Sequence, residues 1–248
     1  SGPFVDYSQA LIFKTFGINW NSYVFHASLI NALLSCLTFY IFRNYELNFT
    51  KSIFFAVCFA VLAYPSSGTP FVDHHSTFFS LMGLYCVILS IKNDSRLLSF
   101  FIPIFFIFAF FSKQVPATYI ALFSIILFVL YIFVNNKMNQ MTYFFGGLFF
   151  TICLLVFIGL ISGITINSFT EQYLLYPPSI ASNRLQQFNV SIIGLLSNFK
   201  FILISLILFL YFSIKNTNFN KTLRNKKFYF ISLILLLTLS LIFHQVLT

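Results

Sequence analysis

The chain has 248 residues, of which 59% are hydrophobic and only 8% are charged, and its net charge is +9. A soluble globular protein carries about 25% charged residues, so these charges are too few to cover a water-facing surface, which excludes a water-soluble domain. The basic residues are scattered rather than gathered on one polar helix face, which favours anchoring of membrane spans over binding of nucleic acid. We therefore expect an all-α integral membrane protein.

Apolar runs along the chain predict its transmembrane elements. A span takes about 20 mostly apolar residues, with roughly 17 as a lower limit. Residues 1–23 are too polar to span, and their apolar side chains predict a helix lying in the membrane interface. We expect a single transmembrane domain over 1–248, a polytopic helix bundle of about eight spans with an interfacial N-terminal helix. The predicted spans are 24–42, 52–66, 76–91, 98–112, 117–134, 142–164, 197–214 and 228–246.

The distribution of lysine and arginine predicts the orientation of the bundle. Ten of the 14 basic residues fall in one set of loops and four in the opposite set. Because cytoplasmic loops are enriched in lysine and arginine, we expect the first set in the cytoplasm and the second outside it. The active face would then be extracytoplasmic, in a bacterial inner (plasma) membrane. The loops expected in the cytoplasm are 43–51, 92–97, 135–141 and 215–227.

The densest polar cluster lies in 64–75, where proline and glycine predict a loop leading into the third span. It ends in Asp73, His74 and His75. A carboxylate at a helix start is favoured by the helix dipole, and it can act as a general base, orient an acceptor or bind a metal. Three adjacent titratable groups favour a functional site over ordinary interfacial residues. Asp73 and His74 are the catalytic candidates, and His75 is a substrate-binding candidate.

A metal site is the weaker interpretation of this cluster. Consecutive residues of a helix point in different directions, so Asp73, His74 and His75 would not all reach one ion. His26 or His244 would have to complete the site. We therefore predict no cofactor, with a divalent metal kept as the alternative.

Three further external residues are candidates for substrate binding. Lys113 lies at the external end of the fourth predicted span, where it either snorkels to the interface or binds a lipid phosphate. A lysine at a short external turn runs against the usual charge distribution, which favours the phosphate. Arg184, in the long external segment 165–196, is a second phosphate candidate or a solvated loop residue. Asp6 is the acidic candidate in the N-terminal segment.

Several short motifs occur in the order and spacing of a known family. They resemble those of the polytopic C-type glycosyltransferases of family 39, which are related to protein O-mannosyltransferases and lipid A aminoarabinose transferases. The resemblance covers about residues 1–135, and Asp73 falls on the family's aspartate. The family's Asp-Glu pair is not found in these residues, and we expect this sequence to be an N-terminally truncated piece of a longer protein, with the pair before Ser1. The motifs lie at 2–7, 11–17, 27–37, 67–85 and 110–114.

The resemblance implies an inverting glycosyltransferase that uses a polyprenyl-phosphate-linked sugar from the membrane lipid phase and an extracytoplasmic glycan, lipid or protein acceptor. Lys113 would stabilise the leaving phosphate, and Asp73 would support the acceptor or the base. A transporter or lipid flippase is the main alternative, and a structural membrane subunit is a third. The absence of internal repeats and of acids in the middle of spans favours the enzyme.

Overall fold

The structure is a computed structural model that describes residues 3–64, 68–176, 192–215 and 226–247. Of these described residues 90% are helical and none is in a strand, which confirms the all-α prediction. The chain forms two compact units, Ser1–Leu148 and Phe149–Thr248.

The first unit is built from long helices joined by short turns. Polar side chains start three of them: Asn19 accepts a hydrogen bond from the backbone of Ser22, and Asn48 and Ser95 act in the same way. Two helices end at Asp94 and Asn136, whose φ angles of 52° and 54° turn the chain back. The helices are α1 Pro3–Phe16, α2 Trp20–Asn44, α3 Phe49–Ala63, α4 Val72–Asn93, α5 Arg96–Ser112, α6 Gln114–Asn135 and the first part of α7 Met138–Ile161.

Cross-helix contacts show how the helices of the first unit run. Thr38 of α2 donates to the Tyr85 hydroxyl of α4 at 3.3 Å, and the starts of the two helices also meet, so α2 and α4 are parallel. The unit therefore has two ends. The basic end is where α2, α4 and α6 finish, and it carries Arg43, Lys51, Lys92, Arg96 and Lys137. The Asp73 end is where these helices begin.

Helix α4 occupies the centre of the first unit, against α2, α5 and α6. In its most apolar stretch 67% of the residues are buried, compared with 17% in α7. Gly83 allows α5 to approach, because a Cβ at this position would lie 2.8 Å from the Phe106 ring. The buried core here is apolar, and it contains Ile30, Leu34, Phe78, Phe79, Met82, Ala109 and Ala117.

Among the residues that the structure describes, four helices are long and apolar enough to cross a membrane, namely α2, α4, α6 and α7. Helices α3 and α5 are apolar but shorter, with 15 and 17 residues. A helix of 15 residues is about 22 Å long, and the hydrocarbon core of a bilayer is about 30 Å thick. The structure thus supports a membrane protein with four candidate spans, and the predicted total of eight stays a prediction.

The N-terminal segment predicted to be interfacial contains α1 and, from Trp20, the beginning of α2. Helix α1 packs against α2 and α5. The Phe4 ring stacks on Phe108 with centroids 4.6 Å apart. Leu11 and Phe16 of the same helix are 64% and 60% exposed. An exposed apolar face of this kind suits a membrane interface, and this location stays a prediction.

The second unit contains the rest of α7 and three further helices in its described part: α8 Ile166–Phe169, α9 Ile192–Lys215 and α10 Lys226–Leu247. A π-helical segment, Thr170–Leu175, follows α8 directly. The prediction of an external loop over 165–196 is therefore wrong at 166–175. The sequence signal for this helix is Thr165, whose side chain accepts a hydrogen bond from the backbone of Ser168 at 3.2 Å. Helices α9 and α10 are in contact.

Candidate functional site

Asp73 and Lys113 form an ion pair at the Asp73 end of the first unit. Asp73 lies in the first turn of α4, where the partial positive charge of the helix N-terminus favours a carboxylate. Lys113 has an extended backbone, and it both ends α5 and precedes α6. The side chains of Asp73 and Lys113 are 46% and 45% exposed, so both charged groups are open to a ligand.

A hydrogen bond from Ser76 fixes the backbone next to this ion pair. The Ser76 hydroxyl is buried and donates to the Lys113 carbonyl oxygen at 3.0 Å. Helix α4 therefore holds the junction of α5 and α6 through one backbone contact and one charged contact. Asp73 and Lys113 lie together, as a shared site requires, and their chemical roles stay predictions.

His74 lies apart from the ion pair. Its ring stands between the rings of Phe71 and Phe78, with centroids 6.0 Å away from each. Its Nδ1 atom is buried and has no hydrogen-bond partner among the described residues. Asp73 and His74 therefore do not form a hydrogen-bonded acid–base pair in this structure.

His75 belongs to a buried chain of hydrogen bonds that joins three helices. Its Nδ1 lies 3.0 Å from the carbonyl oxygen of Phe71, and its Nε2 lies 3.1 Å from Nε2 of His26 in α2. Nδ1 of His26 lies 2.7 Å from Oε1 of Gln9 in α1. Each histidine is only 2% exposed. We call this the histidine relay, Gln9–His26–His75–Phe71.

The relay has two consistent proton arrangements. A carbonyl oxygen only accepts, so His75 donates from Nδ1 to Phe71. With Gln9 Oε1 also accepting, His26 donates from Nδ1, and a hydrogen bond between the Nε2 atoms then needs a third proton and a net positive charge. If the Gln9 amide is reversed, its Nε2 donates to His26 and the pair is neutral. The neutral arrangement is favoured because it removes a buried charge and gives the unpaired Nε2 of Gln9 a partner.

Of the remaining predicted site residues, the structure describes only Asp6, and it does not place Asp6 in the ion pair. Asp6 is exposed on α1 and makes no ion pair with a described residue. Arg184 and the side chain of His244 lie outside the described residues. Within the described part of the chain, no group of three or more histidine, cysteine, aspartate or glutamate side chains could hold a metal ion.

The role of Gln9 and the pairing of His26 with His75 were not predicted from the sequence. No sequence feature marks Gln9 as part of a buried polar contact, because a single glutamine in a short helix is common. A signal for His26 is present in α2, where the buried residues Ser22, His26, Asn31 and Thr38 recur at helical spacing within an apolar span. Polar residues inside a span usually face the interior of the bundle, so this spacing indicates a buried polar face.

The ion pair offers a carboxylate that can take a proton or orient a hydroxyl, and an ammonium that can bind an anion. The histidine relay holds the first turn of α4 in place beside it. No protein-family model, curated protein or solved structure matches the chain.

Proposed function

We propose that this protein is a membrane glycosyltransferase that moves a sugar from a polyprenyl-phosphate-linked donor to an acceptor outside the cytoplasm. The observation that carries the proposal is the ion pair of Asp73 and Lys113, half-exposed at one end of a unit with three complete candidate spans, α2, α4 and α6. The phosphate of a lipid donor lies near the ends of membrane helices, which is the depth of such a pair.

In the transfer reaction, the two charged groups have different roles. The oxygen of the acceptor hydroxyl forms a bond to the anomeric carbon, and the bond from that carbon to the phosphate oxygen breaks. The proton of the hydroxyl passes to a carboxylate, and Asp73 either takes it or orients the hydroxyl. The electron pair of the broken bond leaves with the lipid phosphate, whose charge Lys113 stabilises.

Donor binding would also free the carboxylate. In the ion pair, Asp73 and Lys113 neutralise each other. A phosphate that binds Lys113 replaces Asp73 as its anionic partner, and the Asp73 carboxylate then becomes available to the acceptor. An exposed ion pair contributes only about 0–1 kcal/mol to stability, so this exchange is inexpensive.

The other predicted site residues take different parts in this proposal. His74 is a candidate for proton transfer because its Nδ1 has no partner among the described residues. His75 is buried in the histidine relay, so we assign it a positioning role rather than contact with the substrate. Asp6 and Arg184 remain candidates for the acceptor and the phosphate, on the basis of the sequence alone.

Sugar transfer in membranes that contain the full chain tests the proposal. The donors would be radiolabelled polyprenyl-phosphate mannose and polyprenyl-phosphate glucose. We expect Asp73→Asn to lower the rate by about 10²–10⁴ at equal expression. Lys113→Ala should chiefly weaken the use of the donor. Glu46→Gln removes an exposed acid near the basic end and should leave the rate unchanged. Equal transfer by wild type and Asp73→Asn would refute the assignment.

A transporter or lipid flippase is the second candidate, and the histidine relay favours it. Ionisable residues buried inside membrane helices often mark a path for protons or ions. In that case His26→Phe would abolish transport in a vesicle uptake assay, and sugar transfer would be absent from the wild type.

A further inference from the structure

A polar cavity of about 350 Å³ opens at the basic end of the first unit, opposite the ion pair of Asp73 and Lys113. Small-molecule sites have volumes of roughly 300–1,000 Å³, so a lipid headgroup fits. The cavity lies where α4 ends, α5 begins and α6 turns into α7. Its lining includes Asp94, Arg96, Asn136, Lys137 and Gln140.

The charges that line the cavity leave one cation without an internal partner. Asp94 accepts a hydrogen bond from the Tyr131 hydroxyl at 2.6 Å and lies 3.4 Å from Nζ of Lys137. Arg96 is exposed and has no ion-pair partner among the described residues. With Asp94 and Lys137 compensating each other, the lining carries one net positive charge. One phosphodiester, with its single negative charge, would neutralise it.

The helix ends and a buried amide add to this preference. Helices α5 and α7 begin at Arg96 and Met138, and the N-terminus of a helix favours an anion. Gln140 lines the cavity and is 2% exposed, and its Oε1 has no partner in the described structure. An unpaired acceptor calls for a hydrogen-bond donor such as a hydroxyl group.

We propose that this cavity binds a phosphodiester that carries a polyol, with the phosphate on Arg96 and Lys137 and a polyol hydroxyl on Gln140. An anionic glycerophospholipid of the phosphatidylglycerol type has this chemistry, and so does a free glycerophosphodiester. Basic pockets between membrane helices bind anionic headgroups elsewhere. The site is separate from the proposed transfer chemistry and does not depend on it.

Binding of short-chain lipids to the purified full chain in detergent tests the proposal, with native mass spectrometry as the measurement. We expect dioctanoyl phosphatidylglycerol to bind at least about ten-fold more tightly than dioctanoyl phosphatidylcholine, because the choline cation cancels the phosphate charge and offers no hydroxyl to Gln140. Arg96→Gln should remove most of this preference, and Arg96→Lys should restore part of it. Lys51→Gln is the matched control, because Lys51 is exposed at the same end and does not line the cavity.

Further binding measurements distinguish the membrane lipid from a free headgroup and test the contact to Gln140. Competition by glycerophosphoglycerol would show that the headgroup alone is recognised, and lack of competition would show that the site takes the membrane lipid. Tighter binding of phosphatidylglycerol than of phosphatidic acid would support the hydroxyl contact to Gln140, and equal binding would refute that contact. Equal binding of phosphatidylglycerol and phosphatidylcholine would overturn the proposal. An equal loss in Lys51→Gln and Arg96→Gln would overturn it too, since it would show only a general charge effect.

Discussion

The Nε2 atoms of His26 and His75 face each other 3.1 Å apart, and this contact joins α2 to the first turn of α4. The ring planes are inclined by 70°, so the two imidazoles meet in a T-shaped arrangement rather than by stacking. The same turn of α4 carries Asp73. The buried contact therefore helps to set where the exposed carboxylate points.

Replacement of His75 by phenylalanine should destabilise the protein. In His75→Phe the Nε2 of buried His26 loses its partner, while the carbonyl oxygen of Phe71 keeps the backbone N–H of residue 75. A buried polar group that loses its partner costs about 1–3 kcal/mol. Thermal unfolding in detergent should show a lower midpoint than wild type. A melting temperature equal to that of wild type would mean that the relay contributes no net stability.

Replacement of the neighbouring histidine, His74, should change the free energy of unfolding in the opposite direction. His74→Phe removes a ring whose buried Nδ1 has no partner in the described structure, and it places an apolar ring between Phe71 and Phe78. We expect the free energy of unfolding to rise by between zero and about 1 kcal/mol, because an unsatisfied polar group is removed. The same unfolding measurement checks it, and a clear destabilisation would reveal a contact of His74 that matters for folding.

Two glycines of α7 should respond differently to alanine. A Cβ at Gly147 would collide with the backbone carbonyl oxygen of Phe100 and lie 2.9 Å from its carbonyl carbon, whereas a Cβ at Gly159 meets nothing within 4 Å. Gly147→Ala should destabilise by about 1–3 kcal/mol through overpacking. Gly159→Ala should stabilise by up to about 1 kcal/mol through helix propensity. Similar effects in both variants would contradict the close approach of α5 and α7 at Gly147.

Cysteine labelling tests the membrane orientation that the basic residues predict. In a chain without its four natural cysteines, Asn21→Cys lies near the Asp73 end and Thr50→Cys near the basic end, and both positions are exposed. We expect a membrane-impermeant maleimide to label Asn21→Cys on intact cells, and Thr50→Cys only after permeabilisation. Labelling of both from the same side would contradict the predicted topology.

Composition and hydropathy were sufficient to predict the helical class, because apolar runs with so few charges have few other structures in a membrane. The position of Asp73 at the start of a helix was also predicted, from the proline and glycine before it. Asp73 and Lys113 were both expected at external ends of neighbouring spans, so topology predicts that they lie at the same side, but it does not predict their ion pair.

Other parts depend on packing that a single sequence does not encode locally. The pairing of His26 with His75 joins residues 49 positions apart, and Gln9 enters through a helix that was expected only to lie in the interface. The short length of α3 reflects its end at Ala63, before Tyr64, where the backbone becomes extended. The predicted span 52–66 has the same length but begins three residues later, because hydropathy does not register the cap that Asn48 supplies at the start of α3.

The central position of α4 has a consequence for how the protein is made. It is the least apolar of the four candidate spans and carries Asp73 and two histidines in its first turn. Such a helix partitions poorly into lipid from the translocon on its own. Its partners α5 and α6 are synthesised after it, so we expect α4 to remain at the translocon and to integrate into the membrane only when they emerge. In a cell-free insertion assay, nascent chains that end shortly after α4 should integrate less efficiently than chains that extend through α6.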